Sequence, residues 1–431
     1  MTSEVVIANN QCVVMAADSA VTTVGSKVHD SALKLFSLSK TAPVGIMIYG
    51  SASYLGTPWE TIIKVFREEL GDNELPTLKK YCDDFIKHLD KRPYWSKLRQ
   101  ELWIEDVTTE ILENLKSPLT QYISECARRG EKITEPGVRK VIEAWFNEKQ
   151  EEMADSNPIY RNQKSTQKII EKSYENAIKK MVSSELSFLG DNVDNISNLI
   201  KDIICYLVNR PFQFESHTGI VIAGYGKTQL YPQIITINFD GVIDDKPRHW
   251  KESELSADLN DETIDAVIFP FAQDDVIKTL VYGISPWLNG FIHSNLTSRI
   301  NQIKDSLSSI SEHIGARDTE SQKSIDELSE KLGEGWDEFI DECRNFVGAN
   351  YTKPMFIATS SLTKADMAMM AETLVNVTAF KRKISPDANS VGGPVDVAVL
   401  SKGDGLVWVK RKHYFPSDLN YHFFQNYLRG Y

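Results

Sequence analysis

The chain has 431 residues, of which 42% are hydrophobic, 10% aromatic and 25% charged, the balance of a globular protein able to bury a core and not of a disordered one. Its 48 Lys+Arg against 60 Asp+Glu leave a net charge of −12, which argues against a broad phosphate-neutralising surface and so against a nucleic-acid partner. The five cysteines Cys12, Cys82, Cys126, Cys205 and Cys343 stand singly and the histidines form no ligand-spaced cluster, so neither a disulfide framework, a metal nor a cofactor is expected. The N-terminus lacks a basic and apolar signal pattern, and no apolar run is long enough to span a bilayer; the expectation is a cytoplasmic chain without a membrane span.

In chain order, Val5 to Ala8, the turn pair Asn9-Asn10 and Cys12 to Ala17 predict a hairpin of two largely buried strands. Strands at Leu33 to Leu38 and Val44 to Tyr49, the latter ending at Gly50, follow. All are nearly continuous in apolar residues, as strands covered on both faces are. From Pro58 to Arg210 the texture turns helical, with Trp59, Ile62, Ile63, Phe66 and Leu70 on one helix face and Ile196, Leu199, Ile200, Ile203, Ile204 and Leu207 on another. Strand character returns at Thr218 to Ala223 and Gln233 to Asn238. Leu296, Ile300, Ile303, Leu307, Ile310 and Ile314 have heptad spacing, roughly repeated by Ile325, Leu328, Leu332, Trp336, Phe339, Cys343 and Phe346 after a polar break. This predicts an antiparallel helical hairpin, either packed on the core or projecting as an interaction arm. The tail predicts a short strand at Met355 to Ala358, a helix at Lys364 to Lys381, and strands at Val395 to Leu400 and Gly405 to Val409. Collected, residues 1–57, 212–290 and 350–431 form one discontinuous α+β sheet domain, with helical insertions at 58–211 and 291–349.

No nucleophile elbow, P-loop, dinucleotide fingerprint or metal-ligand pair occurs. The chemistry instead falls to the N-terminus. Thr2 is small enough for Met1 removal, which would leave an α-amine and a hydroxyl on one residue. An α-amine titrates at about 7.7 to 8.0, close enough to neutral to act as general base for its own hydroxyl nucleophile. Such a site needs a cation near the amine and an anion to hold the cation. Asp18 ends the second strand sixteen residues after Thr2, and Lys34 begins the third sixteen residues later. Gly50, at a strand end, is placed to offer its N–H to a tetrahedral oxyanion.

The run of Thr2, Asp18 closing VVMAADS, Lys34 heading KLFSL and GIMIYG ending at Gly50 resembles the proteasome-type N-terminal nucleophile (Ntn) hydrolases, and its spacing matches that of proteasome β subunits. The late helix followed by SPDANSVGGPVDVAVLSKGDG, and the strands GIVIAGYG and QIITINFDGVI, are similar to the same family's later elements. The resemblance implies a four-layer αββα sandwich, with Asp387 and Ser390 hydrogen-bonded to the terminal amine. It also implies a further supporting serine before the late helix, for which Gln273 or Ser285 stands nearest. With only Met1 ahead of Thr2 the chain looks like the peptidase subunit of the bacterial ATP-dependent two-component protease, and loss of one methionine would be the whole activation step.

The expected activity is therefore hydrolysis of a peptide or protein substrate by Thr2 through an acyl-enzyme. Two alternatives stay open: an Ntn amidohydrolase of a small-molecule amide, and a catalytically silent scaffold whose hairpin at 291–349 recruits a partner protein. The family habit of ring assembly implies a homo-oligomer. Lys27 competes with Lys34 but lies in the polar stretch TTVGSK, where Thr22 and Thr23 are candidates for holding substrate backbone. His29 reads as a loop histidine, and the Lys and Glu runs of 58–211 as solvated helix faces.

Overall fold

The computed structural model describes residues 3–23, 27–29, 32–91, 94–160, 163–187, 193–256, 266–315, 319–385, 392–413 and 415–428. The strands are β1 (Ser3–Asn9), β2 (Val13–Ala17), β3 (Val21–Thr23), β4 (Lys27–His29), β5 (Leu35–Ser37), β6 (Val44–Gly50), β7 (Ser53–Tyr54), β8 (Thr57–Pro58), β9 (Thr218–Gly224), β10 (Gln233–Ile243), β11 (Lys246–Ser256), β12 (Ala266–Ala272), β13 (Asp396–Ser401) and β14 (Gly405–Lys410). The α-helices are α1 (Trp59–Leu70), α2 (Leu78–Lys91), α3 (Lys97–Arg129), α4 (Glu135–Glu152), α5 (Gln163–Ser173), α6 (Glu175–Glu185), α7 (Val193–Val208), α8 (Asp275–Tyr282), α9 (Pro286–Gly315), α10 (Thr319–Val347), α11 (Lys353–Ser360), α12 (Lys364–Ile384) and α13 (Tyr421–Leu428). Helices with antiparallel sheets make this an α+β protein. Among the described residues no helix is long and apolar enough to cross a membrane.

The chain divides into two compact bodies, one of residues 1–32, 257–401 and 407–417, the other of 33–256, 402–406 and 418–431. The first holds the sheet ordered β12-β1-β2-β13-β14. Its hairpin β1–β2 forms as the sequence predicts, and Asn9 makes the turn. The Asn9 side-chain oxygen accepts from the N–H groups of Gln11 (3.0 Å) and Cys12 (3.2 Å), while its amide donates to Leu362 O at 3.2 Å. This is how Asn replaces a backbone turn with its own side chain. Every residue of β1, β2 and β13 is buried. Val5, Ile7, Val14, Ala16 and Val397 pack with Met367, Ala371 and Val375 of α12 and Ile277 and Val281 of α8. Helix α12 begins at Thr363, whose hydroxyl accepts from Asp366 N–H, and ends with Arg382 paired to Asp275 of α8 at 2.7 Å.

The second body holds the sheet ordered β11-β10-β9-β6-β5. Ile46, Ile48, Ile220, Ile222, Ile235 and Ile237 share a core with Trp59, Ile62 and Ile63 of α1 and Leu78, Tyr81 and Phe85 of α2. Helices α3 to α7 enclose a separate core that includes Ile104, Ile111, Ile142, Ile178 and Ile200. The apolar spacing that predicts helices there is what fills both cores.

Two expectations need correction. Residues 355–358 belong to helix α11, not to a strand; a four-residue apolar run carries too little period to separate the two. In the hairpin α9–α10, the α9 residues turned towards α10 are Thr297, Ile300, Lys304, Leu307 and Ser311, half-buried or buried, while Leu296, Ile303 and Ile310 are exposed. The seam thus lies one residue round from part of the predicted stripe. Ser311 Oγ donates to Asp326 at 2.9 Å across it.

Candidate functional site

Two clusters come from the predicted residues, one in each body. In the first, Asp18 directly follows β2. Since Glu4 pairs with Ala17, Ser3 stands opposite Asp18, and the two exchange backbone and side-chain bonds. Asp18 N–H donates to Ser3 O at 3.1 Å, and Ser3 N–H donates to Asp18 Oδ1 at 3.2 Å. Gly392 N–H donates to Asp18 Oδ2 at 3.0 Å, and Ser19 N–H returns to Gly392 O at 3.1 Å. Asp18 is 1% exposed. A buried carboxylate is stable only when its oxygens are satisfied, and two backbone donors from distant parts of the chain fix its position here.

A cationic neighbourhood continues from it. Lys412 Nζ donates to Ser19 Oγ at 2.5 Å and lies 3.2 Å from Asp396 Oδ2. Lys412 N–H donates to Asp396 Oδ1 at 2.8 Å, and Arg411 reaches Oδ2 at 3.3 Å while stacking on Trp408. Ser19 also donates to Pro394 O. Sequence reasoning did not find Ser19, Asp396 or Lys412. The one local signal was the Asp18-Ser19 pair at a strand end; the rest comes from residues nearly four hundred positions away.

In the second body, Lys34 immediately precedes β5, and its carbonyl accepts from Ile48 N–H at 2.9 Å. That bond extends the β5–β6 ladder by one rung, so Lys34 and Gly50 sit at neighbouring strand ends. Lys34 is 3% exposed. Gly50 has φ +81° and pairs with Thr218; a Cβ there would stand 2.5 Å from His217 O. Both the left-handed backbone and the contact require glycine. The turn after Gly50 is held by Ser51 N–H to His217 O (3.0 Å), and by the Thr218 hydroxyl, which donates to Ser51 O (2.9 Å) and accepts from Trp59 Nε1 (3.0 Å).

Thr2, Asp387 and Ser390 lie outside the described residues. Gln273 follows Ala272, the ladder partner of Ser3, and is buried; Ser285 lies between α8 and α9. Thr22, Thr23, Lys27 and His29 belong to the small hairpin β3–β4, with Thr23 opposite Lys27 and Val21 opposite His29. Among the described residues, no group of three or more His, Cys, Asp or Glu is placed to hold a metal ion.

Chemically, the first body presents a fixed buried anion beside the residue that follows Thr2, and the second a buried lysine next to a strand-end glycine. No protein-family model matches the chain. No curated protein matches it either. Among solved structures, a mutant of Anbu from Hyphomicrobium sp. strain MC1 is similar at 9% identity and a TM-score of 0.30, over 100% of this chain and 92% of that one. A TM-score that low establishes neither a shared fold nor a shared activity.

Proposed function

We propose that the protein is an N-terminal threonine hydrolase of amide bonds, acting on peptide or protein substrates with the proteasome-type Ntn architecture of four αββα layers. The domain plan is that of the sequence reading: a discontinuous core of 1–57, 212–290 and 350–431 with helical insertions at 58–211 and 291–349. The observation that carries the reading is the buried Asp18 carboxylate, bonded to the N–H of the residue next to Thr2. An anion at that place is what an N-terminal nucleophile needs to hold a lysine near its amine.

In this mechanism Met1 is removed, and Thr2 Oγ attacks the substrate carbonyl carbon while its α-amine takes the hydroxyl proton. Lys34 favours the neutral amine electrostatically, Asp18 holds Lys34, and Gly50 N–H donates to the oxyanion. Collapse of the tetrahedral intermediate breaks the C–N bond, with the proton passing from the α-ammonium to the leaving amine. Water, deprotonated by the same α-amine, then hydrolyses the Thr2 ester. Asp387 and Ser390 orient the α-amine. The protein works in the cytoplasm as a homo-oligomer.

The test is replacement of Thr2 by Ala, read by peptide hydrolysis and by covalent labelling with an electrophile that captures an amine and a hydroxyl together. Loss of both supports the reading, and full turnover in the variant refutes it. A panel of acylated small molecules run beside the peptides separates a peptidase from a small-amide hydrolase.

A further inference from the structure

The segment that follows β14 returns to the neighbourhood of the Asp18 carboxylate. In the β2–β13 ladder Asp396 stands opposite Ala17, so two residues further along Ser19 faces Pro394. Proline has no N–H to give to a ladder. The strands are closed there by Ser19 instead: its N–H donates to Gly392 O at 3.1 Å, and its hydroxyl donates to Pro394 O. Ser19 thus grips the chain on both sides of Gly393, whose φ of +76° makes the turn. Gly392 in turn gives its N–H to Asp18 Oδ2 at 3.0 Å.

A pair of glycines loses more backbone freedom on ordering than any other pair, so a donor drawn from Gly392-Gly393 serves Asp18 only if the turn is held. Lys412 holds it. With its own proton committed to Pro394 O, the Ser19 oxygen is left to accept, and Lys412 Nζ donates to it at 2.5 Å. A cationic donor polarises the hydroxyl and strengthens its bond to Pro394 O. The lysine is fixed from its other side by Asp396, which takes Lys412 N–H on Oδ1 at 2.8 Å and Lys412 Nζ on Oδ2 at 3.2 Å. Ser19 and Asp396 are fully buried and the Lys412 side chain is 10% exposed, so water screens these bonds little.

We infer that Lys412 and Ser19 are positioning residues for the Thr2 nucleophile. Lys412 orders Ser19, and Ser19 orders the Gly392-Gly393 turn. The turn fixes the Asp18 carboxylate, which accepts at 3.2 Å the N–H of the peptide that joins Thr2 to Ser3. Both residues act through Asp18 rather than on substrate. One polar cluster drawn from β2, β13 and the segment after β14 therefore sets where the nucleophile stands, a role that rests on the N-terminal threonine reading.

The test uses the full chain, the threonine-directed electrophile and the variants Lys412→Met, Ser19→Ala and the two together. Labelling at Thr2 is followed in the folded fraction as a maximal rate constant and a half-saturating concentration, with amide exchange at Gly392 beside it. Each single variant slows the maximal rate constant by about ten- to a hundredfold, the loss that a misplacement of about 1 Å brings. Half-saturation stays within about twofold, because binding is untouched, and Gly392 N–H loses protection by about tenfold or more. The double variant labels no more slowly than the slower single one, since both remove the same bond. Lys410→Met, which removes the strand-end cation paired with Glu372, labels at the parent rate. A merely structural role lowers the urea midpoint and the labelled amplitude but leaves the rate constant of folded molecules unchanged, and that result overturns the proposal. So does Gly392 protection kept in both single variants, or a double variant whose losses multiply. Ser19→Ala deletes one hydroxyl and leaves the Lys412–Asp396 pair in place, so it carries the test if Lys412→Met does not fold. A parent chain that fails to label at Thr2 overturns the hydrolase reading and this role with it, whereas a parent that labels beside variants that label equally fast overturns this role alone.

Discussion

Asp18→Asn is the most informative single substitution. The carboxylate accepts Ser3 N–H at 3.2 Å through Oδ1 and Gly392 N–H at 3.0 Å through Oδ2, at 1% exposure. An asparagine keeps the shape but offers one acceptor oxygen, so one of the two buried N–H groups faces an NH2 that cannot accept. A buried donor left without a partner costs about 1–3 kcal/mol, and the surviving bond loses its charge assistance, about another 1 kcal/mol. The expected loss is thus about 2–4 kcal/mol, read as a lower urea midpoint with unchanged slope. Amide hydrogen exchange resolves the cause: Ser3 and Gly392 lose protection, while interior amides of β2 such as Val14 keep theirs until global unfolding. The folded fraction of the variant should also label at Thr2 more than about a hundredfold more slowly, the loss expected when an electrostatic partner of the nucleophile is neutralised. Unchanged stability and unchanged protection at Ser3 and Gly392 would refute the acceptor role of Asp18. A folded variant that labels at the parent rate would refute its part in the chemistry.

Three further outcomes follow from the second body. Arg248 is fully buried beside Asp240 and donates to the carbonyls of Val208 (2.7 Å), Leu207 (3.2 Å) and Phe212 (2.9 Å). Arg248→Met should cost about 3–5 kcal/mol in urea unfolding because it strands a buried carboxylate, and adding Asp240→Asn should recover part of that loss. Burial, opposed by the Glu215 N–H but reinforced by the Glu215 and Asp240 carboxylates, pushes Glu110 up from 4.5 to about 6. Its penalty is absent below pH 4.5, grows as the pH rises through that interval and is full above 6. Glu110→Gln, which keeps an acceptor for Glu215 N–H, should therefore stabilise by about 1 kcal/mol above pH 6, allowing for its partial exposure, and by nothing below 4.5. Gly50→Ala should cost about 1–3 kcal/mol in unfolding free energy, read as a lower urea midpoint, because it forces a side chain into φ +81° against His217 O; an unaltered midpoint would contradict that backbone.

The sequence made the continuous apolar strands legible, since β1, β2, β6 and β9 are buried along their whole lengths but for Gly50 at the end of β6, and apolar runs make up most of each, although Ser3, Glu4, Asn9 and Thr218 are buried there too. It hid β11 and β12 for physical reasons. β11 is an edge strand whose sequence KPRHWKESELS is mostly polar, and β12 carries Pro270, which a ladder accepts at an edge. Helical periodicity after Pro58 marked α1 to α7 alike, although α1 and α2 cover a sheet while α3 to α7 enclose their own core. At the candidate site, Asp18, Lys34 and Gly50 could be found because each ends or begins an apolar run. Gly392 and Lys412 could not, because their closeness to the Asp18-Ser19 pair arises only when β13 joins β2. The hairpin stripe was visible as a heptad count, but which flank faces inward depends on the polar seam residues Thr297, Lys304 and Ser311, which a count of apolar residues passes over.

Intact-mass spectrometry of the purified chain, before and after treatment with the threonine-directed electrophile, tests the central claim most directly. The account predicts a chain that lacks Met1, gains one adduct mapped to Thr2, and gains none when Thr2 is replaced by Ala. A retained Met1 or an acetylated Thr2 leaves no free amine to act as base and would contradict it.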